Sequence, residues 1–189
     1  WDDNKIAWYE QVGSPFKPAT KTELQTAVDL WISDNASALF TYGLINTWDV
    51  SLITDMSELF EDKTTFNDDI SNWDVSSVTY MAYMFHKATS FNGDLSSWDV
   101  SSVTNMYNMF LGSDALSDGN KCAIHVSFQS NDAWPYDWSD NCYQFETRDE
   151  LVTAVNLWIS DNTSALATYG PINSWDVSLI TNMGNLFWG

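Results

Sequence analysis

The chain has 189 residues, of which 44% are hydrophobic, with 11 Trp, 10 Phe and 8 Tyr, so it can bury a real core and global disorder is excluded. Seven basic residues against 26 acidic ones leave a net charge of −19, which argues against a phosphate backbone or an anionic lipid surface as partner. No apolar run approaches the roughly 18 residues of a membrane span, and no signal peptide is recognisable, so membrane insertion is not expected.

In chain order, residues 1–19 read as a linker or the tail of a preceding unit, because Trp1-Asp2-Asp3-Asn4 matches Trp138-Ser139-Asp140-Asn141. Residues 20–146 read as one unit. Its leading segment, 20–44, opens with Thr20 and Glu23 at capping-box spacing and continues with Leu24, Ala27, Val28 and Trp31 on one helical face. Gly43 marks the turn at its end. Three coils then fill 45–119, recurring every 25 residues. Trp48-Asp49-Val50-Ser51 returns as Trp73-Asp74-Val75-Ser76 and as Trp98-Asp99-Val100-Ser101. Thr54, Thr79 and Thr104 keep the register, as do Met56, Met81 and Met106, and Phe60, Phe85 and Phe110. A trailing segment, 120–146, closes the unit.

Residues 147–187 repeat 20–60 with 30 of 41 positions identical, so 147–189 read as the start of a second, truncated tandem unit. Thr147 and Glu150 restore the capping box; Leu151, Ala154, Val155 and Trp158 restore the apolar face; Trp175-Asp176-Val177-Ser178 opens a new first coil. The whole therefore reads as a window on a longer array.

No single coil can cover its own apolar side; only stacking covers Val75, Val78, Met81, Met84 and Phe85. The expected fold class is α/β: a leucine-rich-repeat-like solenoid of 25-residue coils. Each coil is expected to hold a short strand near its Val-Thr-x-Met stretch and then a helical turn ending at the Phe. The leading amphipathic helix covers one end, and a disulfide-pinned cap covers the other. Cys122 and Cys142, the only cysteines, lack metal-ligand or redox spacing and suit a disulfide, which in turn suits an extracellular compartment.

The string from Ile70 to Phe85, followed by Ala88-Thr-Ser-Phe-Asn92, resembles the BspA-like leucine-rich-repeat surface proteins. The resemblance covers 44–111 and again 172–187, and it implies a secreted or cell-surface protein with adhesion, matrix or surface-layer roles. It carries over no catalytic residues.

Candidates for chemistry are few. His86 and His125 belong to no catalytic or metal motif, and no phosphate loop occurs, so an enzyme is not expected. Asn67 and Asp69 recur as Asn92 and Asp94, oxygen donors that could ladder along Ca²⁺, though these residue types also favour turns; no other cofactor is indicated. Asn35-Ala-Ser and Asn162-Thr-Ser are equivalent N-glycosylation sequons. Trp134, Tyr136 and Trp138 offer either a glycan-stacking platform or a lid on the core. The Thr54, Thr79 and Thr104 row invites comparison with ice-binding hydroxyl arrays. The favoured function is a structural subunit of an extracellular filament, fibre or surface coat, self-associating through tandem units. The alternative is an adhesin or glycan-binding module with surface glycans or matrix as partner.

Overall fold

The computed structural model describes residues 15–184; the Trp1–Asn4 match lies outside them. Helix α1, Lys21–Ser33, starts where the sequence places its cap. The Glu23 amide donates to Thr20 Oγ1 (3.2 Å), and Glu23 Oε2 accepts from the Ala19 amide (2.7 Å). Leu24, Ala27, Val28 and Trp31 are its buried residues, spaced to share one face. Asp34 ends α1 and caps α2, Asn35–Tyr42, by accepting from the Ser37 amide at 3.1 Å. Gly43, at φ 73°, turns the chain out of α2.

Three coils come next, each beginning with an Asx turn. Asp49, Asp74 and Asp99 accept from the amides of Ser51, Ser76 and Ser101 two residues on. A reverse turn then closes each box, with Ile53, Val78 and Val103 donating to the carbonyls of Val50, Val75 and Val100. The coils lie against one another along backbone ladders. Met56, Glu58, Phe60 and Asp62 donate to the carbonyls of Tyr80, Ala82, Met84 and His86. Met81, Tyr83, Phe85 and Lys87 repeat this toward Asn105, Tyr107, Met109 and Leu111.

These ladders correct the expected fold class. The described residues contain helices and isolated bridges, Asp55 with Tyr80, Tyr80 with Asn105 and Gln144 with Asp176, but no strand or sheet. The protein is therefore not an α/β leucine-rich-repeat solenoid. The reason is the backbone at two positions per coil. Glu58 and Asp62 are left-handed (φ 63° and 57°), as are Tyr83 and Lys87 (59° and 55°), and Asn108 and Gly112 (53° and 80°). Extended backbone cannot pass through them. Between the ladder bonds the chain instead makes turns, with Glu61 donating to Glu58, His86 to Tyr83 and Leu111 to Asn108. Along these ladders every second amide donates to the neighbouring coil, and most of those between close turns, so inter-coil bonding proceeds without strands. The helical turn expected before each Phe is this same run of reverse turns.

Stacked identical side chains form the core. Phe60, Phe85 and Phe110 stack with centroids 5.2 and 5.4 Å apart and nearly parallel planes. Phe66 and Phe91 form a parallel row at 6.0 Å, and Trp48 stacks on Trp73 at 6.2 Å. Full burial of each such ring stabilises by about 1.5–3 kcal/mol. Both ends of the stack are covered. On the first coil, Lys21 of α1 reaches Asp55 and Ser57, while Gln25 donates to the Leu59 carbonyl (3.1 Å). On the third, α3 (Asp118–Phe128) and the loop after it close the edge. Ser127 and Asn131 donate to the carbonyls of Ser96, Val100 and Val103.

The described part of the second unit rebuilds the leading part of the first. Helices α4, Arg148–Ser160, and α5, Asn162–Tyr169, carry caps from Thr147 and Asp161 matching those from Thr20 and Asp34. Trp158 meets Trp175 edge-on at 5.7 Å, as Trp31 meets Trp48 at 5.9 Å. A separate small core forms from Phe145, Leu151, Ala154 and Val155.

Candidate functional site

The trailing cap and its junction with the second unit are the most elaborated part of the molecule. Cys122 and Cys142 form a disulfide, tying α3 to the short 3-10 turn Ser139–Asn141. A loop of this length is worth about 3 kcal/mol in the chain-entropy model. Cys122 is buried, and its Sγ lies 3.3 Å from the Ser174 carbonyl of the following unit. Next to it, Gly119 packs on Gly170 and Pro171; a Cβ on Gly119 would lie 3.0 Å from Pro171 Cδ. The cap of one unit thus seats directly on the turn that opens the first coil of the next.

Trp134, Tyr136 and Trp138 lie at the end of the phenylalanine row and surround Phe110 at 6.2, 6.2 and 5.5 Å. Tyr136 stacks on Trp138 (4.8 Å), and its hydroxyl accepts from the Phe110 amide (2.8 Å). Burial pushes the Tyr136 hydroxyl pKa up. The Trp134 indole donates to His125 Nδ1 at 3.1 Å. These half-buried rings pack on each other and on the core, and so cover the end of the stack. His125 belongs to that cover, and His86 pairs with Glu61 at 2.7 Å across adjacent coils.

The remaining candidates are dispersed along the coils. Asn67, Asp69, Asn92 and Asp94 are all exposed. The Asn92 amide donates to Asn67 Oδ1 (2.7 Å) and the Ser117 amide to Asn92 Oδ1 (2.8 Å), which makes an asparagine ladder. Asp69 and Asp94 accept from the amides of Ser71 and Ser96. Among the described residues no three His, Cys, Asp or Glu side chains converge on a common point. The hydroxyls of Thr79 and Thr104 donate to the carbonyls of Thr54 and Thr79, spending that row on inter-coil bonds. Asn35 and Asn162 are exposed at the first positions of α2 and α5.

Two features are not legible in the sequence pattern. One is the pair of left-handed positions in each coil; Asn108 and Gly112, residue types that tolerate them, are the available signal. The other is an open cavity of about 450 Å³ between the α1–α2 elbow and the first coil, lined by Trp31, Leu39, Asn46, Phe66, Asp68 and Asp69 among others. Its residues come from three separated segments, and no sequence signal joins them.

No helix among the described residues is long and apolar enough to cross a membrane. Comparison with curated proteins and with solved structures gives no match. The model of one protein family, described as Mycoplasma protein of unknown function, DUF285, matches residues 30–131 and 152–189. Those segments include all three coils and most of the tandem restart. The chain belongs to this family, which is related to the BspA-like surface-repeat families.

Proposed function

We propose that the chain is a structural segment of an extracellular filament, fibre or cell-surface coat assembled from tandem units. One observation carries the reading: the disulfide-tied cap of the first unit seats on the turn that opens the first coil of the second, with Gly119 against Gly170 and Pro171 and Cys122 Sγ against the Ser174 carbonyl. Close packing of this kind stiffens a tandem array, because each unit contacts only its neighbours and the contact fixes their angle. The disulfide suits an oxidising compartment outside the cell. The exposed sequons at Asn35 and Asn162 suit a surface glycoprotein. Both edges of the coil stack are capped by side chains, so growth would run through units along the chain and not through open coil edges.

Electron microscopy of the native full-length protein, extracted from cell surfaces without denaturant, tests this. Straight filaments with a regular repeat along their length are expected. Isolated flexible strings of beads would overturn it and favour an adhesin with independent arms.

A further inference from the structure

One outward face of the coils changes character from coil to coil, while the apolar core beneath it repeats. The inter-coil ladders set residues 25 apart side by side, as in the bridges of Asp55 with Tyr80 and of Tyr80 with Asn105. In the first coil the outward row is acidic: Asp55, Glu58, Glu61 and Asp62. At the same places the second coil carries Tyr80, Tyr83, His86 and Lys87. The third carries Asn105, Asn108, Leu111 and Gly112, with Tyr107 where the other coils have Ser57 and Ala82. Tyr80, Tyr107 and Leu111 are 50%, 58% and 51% exposed. The Tyr83 ring lies among them, meeting Tyr107 edge-on at 5.5 Å and His86 at 5.3 Å. Tyr83 also holds left-handed backbone (φ 59°), at the position where the third coil has Asn108, a residue type that tolerates it. On a chain with 26 acidic residues, the second and third rows contain no carboxylate.

We propose that this face pairs with the same face of a second copy of the chain, with the coils of the two copies in antiparallel order. Charge selects both the occupant and the order. Two chains of net charge −19 repel wherever acidic surfaces meet, whereas rows without carboxylates come together without that cost. A two-fold contact must be complementary to itself. Antiparallel order lays the second row on the second row of the other copy, and the acidic first row on its uncharged third row. Parallel order would lay acids on acids, and that repulsion selects against it. Within each copy Lys21 holds Asp55 (3.1 Å), and Lys87, the cation of the second row, stands 3.9 Å from Asp62, toward its own first coil. Exposed tyrosines suit such a contact, since each supplies apolar area and a hydroxyl. Tyr83 and Tyr107 are tilted by 77°, which makes a ridged surface and not the flat platform on which a sugar ring stacks. The contact is lateral and does not depend on whether the units of one chain form a straight filament; where they do, it holds filaments side by side.

The test is sedimentation velocity of the 189-residue chain with its disulfide formed, from about 1 μM to about 1 mM, a range that reaches weak protein contacts. A reversible monomer–dimer equilibrium is expected. Tyr80→Asp with Tyr107→Ser gives the second and third rows the residues that the first coil carries at those positions, Asp55 and Ser57, so the coils should fold. This double variant should raise the dissociation constant about tenfold or more. Tyr80→Cys places a thiol near the two-fold axis, and mild oxidation should link two chains through that position. A chain that stays monomeric to about 1 mM overturns the proposal. So does a dimer that the double variant leaves unchanged, or one that Tyr80→Cys fails to link. Retention of a monomeric chain on insoluble cellulose, lost in the double variant, would overturn it in favour of a neutral glycan.

Discussion

The indole N–H of Trp73 donates to the main-chain carbonyl of Ile45, one coil back, at 2.8 Å. Trp98 makes the same bond to Ile70 at 3.2 Å, so the register of neighbouring coils is locked by a buried polar bond as well as by stacked rings. In the first coil of each unit no earlier coil exists, and the indoles of Trp48 and Trp175 turn to the carbonyls of Gly43 and Gly170. The repeated Trp is thus an anchor whose partner is set by position in the stack.

Trp73→Phe should lose this bond and leave the buried Ile45 carbonyl with the Trp48 amide, at 3.3 Å, as its donor, while keeping an aromatic ring in the row. A cost of about 0.5–1.5 kcal/mol from the lost hydrogen bond is expected, plus the smaller ring's lost contacts. Urea denaturation measures it. A change under about 0.5 kcal/mol would show that the bond does not matter to the stack.

Left-handed backbone predicts opposite effects at two equivalent positions. Lys87 sits at φ 55°, where a side chain costs about 1–2 kcal/mol, so Lys87→Gly should be neutral to stabilising. Gly112 sits at φ 80°, and a Cβ there would meet Lys87 Cγ at 3.2 Å, so Gly112→Ala should destabilise by about 1 kcal/mol or more. Melting temperatures of the two variants, moving in opposite directions, check the assignment.

Gly119 reports on the junction. Gly119→Val places atoms against the Pro171 ring and should push the second unit off the cap, while leaving the first core intact. Small-angle scattering should show a larger radius of gyration, and proteolysis should begin near residues 143–150. Unchanged scattering would mean that the units are not held by this contact.

Acid should weaken the molecule through the Asp-x-Ser boxes. The Lys17 ammonium, at 2.7 Å, and the Ser51 hydroxyl and amide hold the Asp49 carboxyl down at about 2. Hydrogen bonds from Ser101 and Ser178 hold Asp99 and Asp176 below the usual carboxylate value. A carboxyl depressed on folding stabilises the native state above its unfolded pKa, about 3.9, and loses that contribution as pH falls through the folded value. Stability should therefore decline from about pH 4 toward pH 2, with a shallower slope in Asp49→Asn. Chemical denaturation at stepped pH measures this; equal slopes in both proteins would reject it.

The sequence by itself determined the periodicities and their direct consequences. Thr20, Glu23 and the Leu24–Trp31 spacing specified α1 and its cap, because capping and helical faces depend on residues a few positions apart. The 25-residue identity specified which rings stack, since identical coils in register must place Phe60, Phe85 and Phe110 in one row. Cys122 and Cys142, the only cysteines, left one pairing. Tertiary structure alone decided the backbone between those anchors. A Val-Thr-x-Met stretch has the composition of a strand, yet it forms only isolated bridges at Asp55, Tyr80 and Asn105, because left-handed residues two positions beyond the Met, such as Glu58 and Tyr83, turn the chain out of extended backbone. Only the fold could show that Trp134, Tyr136 and Trp138 cover Phe110, or that Asp68 meets Trp31 across 37 residues. Those relationships depend on where distant segments come to lie, which no local pattern encodes.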